Sequence, residues 1–242
     1  MFVLITSPDS VDTVHLRDQR IEPCKGCAVC LSVGSSKCPL RDDDAVRILQ
    51  KMAAADSMVF VVPNYALQVP GILKTLLDRL SYVFHRPRLF GKVCLPVIVQ
   101  GVYGGGKVAK YVNEVMSFWG AQPVKGVVIS GGIYPLKPKK AGIQAKDDKV
   151  LKLALQRFSK ALSATKMQKP SFFRLMIFRS TRASMQHFDE ALAPDQAYFT
   201  RMGWDRADYY YPVKLSLTKK VFGNMIDRMI KSMADKDKIQ KD

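Results

Sequence analysis

Three apolar runs, each handing over to a loop and then to a segment of helical period, constrain the fold of this chain most. They are Ser57 to Pro63 (SMVFVVP), Lys92 to Gln100 (KVCLPVIVQ) and Gln122 to Ser130 (QPVKGVVIS). Runs without polar alternation belong to strands covered on both faces, as in parallel sheets. The segments that follow are GILKTLLDRLSYVF (71–84), KVAKYVNEVMSFWG (107–120) and a stretch from about Asp147 to Ala164. Pro70 opens the first of these where its missing N–H is harmless. Strand, loop and helix recurring in this way predict an α/β domain with an open, doubly wound parallel sheet. Ligands of such sheets sit in the loops at the carboxyl ends of the strands, which singles out loops 63–70 and 101–106.

A second feature lies ahead of these runs. Cys24, Cys27, Cys30 and Cys38 follow the spacing C-x2-C-x2-C-x7-C, with Pro39 after the last. Thiolates two residues apart can hold three corners of a cubane, and a fourth can close it over a short loop. Ferredoxins carry the same triplet, with a proline after the final cysteine. A [4Fe-4S] cluster is the first reading. Structural zinc, which more often takes two separated C-x2-C pairs, and a metal-free reduced loop are the alternatives. Arg41 to Asp44 then opens a helix running to about Ala55, with carboxylates placed for the macrodipole and Val46, Ile48, Leu49 and Met52 as its apolar stripe.

Composition narrows the setting. Five cysteines, four of them clustered, do not make a secreted disulfide framework. MFVLITSPDS lacks the basic flank and apolar length of a signal peptide, and no window approaches the roughly 18 apolar residues of a membrane span. A reducing cytoplasm is the expected location. The net charge of +17 concentrates after position 137, in KPKK (137–140) and in the tail. No nucleic-acid-binding motif accompanies it, so nucleic acid is not an expected partner. A basic solvated surface is expected instead, with a docking face for an acidic redox partner or for a membrane surface as the alternatives.

Two short β-like runs, 2–5 and 12–16, precede the cysteines. After about residue 165 the character changes. DQAYFTRMGWDRADYYYP packs its aromatics densely, as a satellite core or as a wall over a ligand, and a basic amphipathic helix follows. Gly101 to Lys107 fits G-x4-G-K after a strand, yet Val108 stands where a phosphate-binding loop needs Ser or Thr for magnesium. His15, His85 and His187 are scattered, and Cys94 reads as a small core residue. Asp78 and Arg79 suit ion pairing rather than catalysis.

The stretch IEPCKGCAVC…CPLRDDD…PNYALQVPGILKTLLDR (21–79) resembles the flavodoxin-like NADPH-dependent FMN reductases, and among them the iron–sulfur flavoproteins. The resemblance covers about residues 12–165. It implies a flavodoxin-like FMN-binding domain over 1–165, with 166–242 as an α-rich extension. It also implies FMN contacts at Pro63, Asn64, Tyr65, Ala66, Leu67 and Gln68, with a second flavin-facing wall at Gly101, Tyr103, Gly104 and Gly105. The implied activity is an oxidoreductase or electron carrier taking electrons from NAD(P)H or a ferredoxin, with cluster ligands Cys24, Cys27, Cys30 and Cys38. Relatives of this fold commonly build the site in a homo-oligomer. The family's amino-terminal strand, phosphate loop and helix find no counterpart in MFVLITSPDS, where only Ser7 offers a phosphate contact. That implies a fragment or a shortened variant. Two further readings follow: an interaction module that has lost FMN, and a quinone-type reductase with a zinc-bearing or empty cysteine loop.

Overall fold

The computed structural model describes residues 2–7, 10–131, 139–164, 167–187 and 193–239. The chain divides into two compact units, residues 1–25 with 40–166 and residues 26–39 with 167–242.

The first unit is built on a six-stranded sheet. Its strands are β1 (Phe2–Ser7), β2 (Ser10–His15), β3 (Ser57–Pro63), β4 (Val93–Gln100), β5 (Gln122–Pro123) and β6 (Val127–Ser130), in the order β2-β1-β3-β4-β5, with β6 also on β4. The pairings of β4 with β3, β5 and β6 are all parallel, as the apolar runs predict. Strand β1 departs from that pattern by running antiparallel to both β2 and β3. Two residues separate β1 from β2, enough for a hairpin and far short of a parallel crossover. The hairpin thus fills the place beside β3, and the strand expected at 12–16 lies at the outer edge of the sheet.

Alternate residues of the sheet bury on opposite faces. Val93, Leu95, Val97 and Val127 pack with Ala154 and Phe158 of α5 (Ala141–Leu162). Met58, Phe60, Val62, Cys94 and Ile98 bury on the other side, where α4 (Gly105–Phe118) begins close against Ile98 and Val128. Helix α5 starts six residues before the expected Asp147, whose carboxylate accepts the Ser130 N–H at 3.2–3.3 Å and pairs with Lys139 at 2.7 Å. The remainder of the basic loop ahead of Lys139 lies outside the described residues, as does the side chain of Ser7. The single strand expected over 122–130 is two. A side chain at Gly126 would press on the Ala109 methyl at 2.9 Å and on the Pro96 carbonyl at 3.2 Å, so the chain passes close to α4 there between β5 and β6.

Helices α2 (Ala45–Ala54) and α3 (Gly71–Arg79) complete this unit. Helix α2 buries Ile48, Leu49 and Met52, and α3 buries Leu73, Leu76 and Leu77. The long helix expected over 71–84 breaks at Leu80 and continues as a 3-10 turn, Ser81–Phe84.

The second unit contains α1 (Val29–Ser32), α6 (Phe172–His187), α7 (Ala193–Arg201) and α8 (Leu217–Ile239). Its aromatics pack on one another: the Tyr210 ring centroid lies 4.6 Å from Phe178 and 4.8 Å from Trp204, and the indole N–H donates to the Tyr210 carbonyl at 2.7 Å. That is a satellite core. Helices α6 and α8 approach through Gly223, where a Cβ would strike Arg179 Nε at 2.5 Å. Arg179 is buried against Asn224, Asp208 and Asp227, and Arg182 shares Asp227 at 2.6 Å. Among the described residues no helix is long and apolar enough to cross a membrane.

Candidate functional site

The parallel strands end at Pro63 and Gln100, and the two loops beyond them hold each other. Asn64 donates its backbone N–H to the Val99 carbonyl at 2.8 Å and its side-chain amide to the Tyr103 carbonyl at 2.7 Å. Its other side-chain atom, Oδ1, is enclosed without a donor among the described residues. A buried acceptor left in that state is costly, and a ligand N–H can satisfy it.

Tyr65 and Gln68 then exchange two backbone hydrogen bonds, at 3.1 and 3.0 Å. The residues between them, Ala66 and Leu67, have φ of 48° and 64°. This is a type I′ turn, built without glycine or asparagine at either centre. Holding two L-residues in the left-handed region stores strain of about 1 kcal/mol or more apiece.

Gly104 lies against this turn with φ +96°. A Cβ there would stand 2.8 Å from Leu67 Cδ2 and 3.3 Å from Asn64 Nδ2. Only glycine gives both the dihedral and the space. Gly105 plays a different part: its N–H donates to Gln100 Oε1 at 2.8 Å, and a Cβ would meet both that oxygen and Val128. It seats α4 on the sheet. Gly101 has open space around it and no such demand.

The outcome is a pair of joined loops over the carboxyl ends of β3 and β4. They leave Tyr65 63%, Leu67 46%, Tyr103 65% and Val102 86% exposed. Pro63, Asn64, Tyr65, Ala66, Leu67, Gln68, Tyr103 and Gly104 come together here, while Gly105 sits beneath in packing. Three features here suit a planar ligand that carries an N–H group, as FMN does: an enclosed acceptor without a donor among the described residues, a glycine-only approach, and exposed aromatic rings.

The cysteine segment is arranged differently. Cys24 and Cys27 are exposed, and Cys30 and Cys38 are half-buried. Among the described residues, no three His, Cys, Asp or Glu side chains stand close enough to hold a metal ion. Cys94 is buried, and burial raises its thiol far above the ordinary range, so it is an inert core residue.

What the structure does define is the anchorage of this segment. Arg79, at the end of α3, donates Nη1 to the Glu22 carbonyl at 3.1 Å and Nη2 to the Leu40 carbonyl at 2.7 Å, and forms an ion pair with Asp43. Asp43 also accepts the N–H groups of Glu22, at 3.0 Å, and Ala45, at 3.2 Å. Asp44 accepts the Arg20 N–H at 2.8 Å, and its carboxyl is held below the usual range by the Arg47 side chain and that backbone N–H. The acidic run thus ties down residues 20–22 as well as serving the start of α2. Asp78 pairs with Lys74 at 2.5 Å, away from Asp43. Both residues of the Asp78–Arg79 pair are ion-pairing residues, as their sequence context predicts. The reach of Arg79 back to Glu22, Leu40 and Asp43 has no local sequence signal.

The profile of the NADPH-dependent FMN reductase family matches residues 8–134, more than half of the chain. An iron-sulfur flavoprotein of Archaeoglobus fulgidus is 35% identical over 128 residues, 52% of this chain and 56% of the relative. An iron-sulfur flavoprotein of Methanosarcina thermophila is 32% identical over 148 residues, 59% of this chain and 75% of the relative. The FMN-dependent NADH:quinone oxidoreductase of Brevibacillus brevis is 34% identical over 107 residues, 38% of this chain and 51% of the relative. The chain therefore spans only about half the length of several curated relatives it matches. It belongs to the NADPH-dependent FMN reductase family and, within it, to the iron-sulfur flavoprotein type.

Proposed function

We propose that this protein is a flavin-dependent oxidoreductase that binds FMN across the joined loops 63–68 and 101–105. The observation that carries the reading is the Asn64–Tyr103 and Leu67–Gly104 contact, which builds a strained, glycine-dependent platform at the carboxyl ends of two parallel strands. Bound FMN supplies the redox chemistry, taking up a hydride or two electrons and releasing electrons singly. In this reading the exposed rings of Tyr65 and Tyr103, the enclosed Asn64 Oδ1 and the backbone of Ala66 to Gln68 would hold the flavin, Asn64 Oδ1 as an acceptor for an N–H of the ligand. None of these residues needs to act as an acid or a base.

The donor in this proposal is NAD(P)H or a ferredoxin, and the cysteine segment carries a [4Fe-4S] cluster on Cys24, Cys27, Cys30 and Cys38. Support for the cluster comes from the C-x2-C-x2-C-x7-C spacing and from the printed names of the relatives. The domain is taken as residues 1–165, with 166–242 as an extension, in a cytoplasmic homo-oligomer. A second reading is a quinone reductase whose cysteine segment holds no cluster. The name of the Brevibacillus relative supports it.

The test is an anaerobic absorbance spectrum after incubation with FMN, then with ferrous iron and sulfide, followed by reduction with NADPH, NADH or reduced ferredoxin. Flavin bands plus a broad iron–sulfur absorption, both bleached by one donor, support the first reading. Flavin bands alone, bleached and then reoxidised by a quinone, support the second. A colourless protein overturns both and leaves a flavodoxin-like interaction module.

A further inference from the structure

The Arg79 side chain is 3% exposed, and its guanidinium fork is shared between the carbonyls at the two ends of one segment, Glu22 before the cysteines and Leu40 after them. Asp43 balances its charge, is itself 2% exposed, and holds the Glu22 N–H as well. The chain between these anchors is built of short elements, closed by turn hydrogen bonds such as Gly34 N–H to the Val29 carbonyl at 2.9 Å and Cys38 N–H to the Ser35 carbonyl at 3.3 Å. It contains one four-residue helix, one 3-10 turn and a non-glycine residue, Ala28, at φ 55°. Helix α3, which ends on Arg79, begins directly after the candidate flavin loop at Pro70 and Gly71. Nine helical residues at about 1.5 Å each make it a strut of roughly 13 Å from that loop to the anchor.

We propose that Arg79 is the positioning residue of the cysteine segment. It closes the base of the 22–40 loop by holding Glu22 and Leu40 to the end of α3. The inference rests on the metal-binding reading of the cysteines above. A planar five-donor fork is required because one group must serve two carbonyls and a carboxylate together, which an ammonium on a flexible stem does poorly.

The substitution that isolates this role is Arg79→Lys, which keeps a cation opposite Asp43 but loses the fork. Asp78→Ala, on the exposed neighbouring pair, is the control. Zinc(II) affinity is measured against a competing chelator, FMN affinity by calorimetry, and amide exchange over residues 20–44 by mass spectrometry. The expected result is zinc binding weaker by about tenfold or more in Arg79→Lys, the usual effect of removing a group that orients metal ligands. FMN affinity should hold, exchange over 22–40 should speed up, and Asp78→Ala should change none of these.

Equal zinc affinity and equal exchange in Arg79→Lys and the wild type overturn the inference. If the wild-type chain binds no metal, the metal-binding reading fails. The positioning role is then judged on exchange alone, faster in Arg79→Lys supporting it and unchanged overturning it. Should Arg79→Lys not fold, the wild-type Glu22 amide decides. Exchange as slow as that of β4 supports a closed base, and exchange as fast as that of Cys27 overturns it.

Discussion

Arg79 and Asp43, 36 residues apart in the chain, form an ion pair whose side chains are 3% and 2% exposed. Two opposite charges withdrawn from water this fully depend on each other. Removing one partner leaves the other buried and uncompensated, which costs about 3–5 kcal/mol. Asp43→Ala should therefore lower unfolding stability by about that amount in urea melts. The double change Asp43→Leu with Arg79→Leu should recover roughly half of the loss, because it removes both charges while leaving the two carbonyls without donors. If Asp43→Ala unfolds at the wild-type midpoint, the pair is not buried as described.

Strain in the Tyr65–Gln68 turn yields a prediction in the opposite direction. Ala66 is exposed at φ 48° and gives up little packing when its methyl is removed. Ala66→Gly should stabilise the protein by about 0.5 kcal/mol, the relief of left-handed strain less the extra entropy that glycine loses. Thermal melts of the two proteins check it. A destabilisation of similar size means that the turn is not held in the left-handed region in solution.

Alkaline pH should act on the second unit. Burial pushes the Tyr209 and Tyr210 phenols well above their usual range, and Tyr211 is raised in the same way. In the unfolded chain these phenols ionise near pH 10, whereas in the folded unit they stay protonated above that. Their contribution is thus fully present below about pH 10 and is lost as the pH rises beyond it. Tyrosinate absorbance from these residues should appear together with loss of helical circular dichroism, not before it. Ionisation of Tyr209, Tyr210 and Tyr211 themselves near pH 10 with helicity intact, read as the difference from their Phe variants, contradicts their burial.

The parallel centre of the sheet was legible because Ser57–Pro63 and Val93–Gln100 carry the signature of strands covered on both sides. Loop positions followed from strand positions, and the family resemblance then named Asn64, Tyr65 and Gly104 within them. What escaped was non-local. Nothing in FVLITS says that it will run antiparallel to β3, since that orientation is set by the two-residue link to β2 and by the vacancy beside β3. The split of 122–130 depends on Ala109 and Pro96 closing on Gly126, residues of other elements. Ala66 and Leu67 give no sign of positive φ, because tertiary contact with Gly104 overrides their preference. Arg79 was legible as an ion-pairing residue, but not as the group that ties Glu22 to Leu40.

The central claim is that the joined loops hold FMN, and Gly104→Val tests it most directly. The change places a branched side chain where a Cβ alone would stand 2.8 Å from Leu67, at a φ that β-branched residues avoid, so it forces the two loops apart without touching the sheet. FMN affinity of the wild type and of Gly104→Val, measured by calorimetry with helicity checked in both, gives the answer. Saturable one-to-one binding by the wild type and a loss of about a hundredfold or more in the variant, near 3 kcal/mol, agree with the account. Equal binding by the two folded proteins, or none by either, contradicts it.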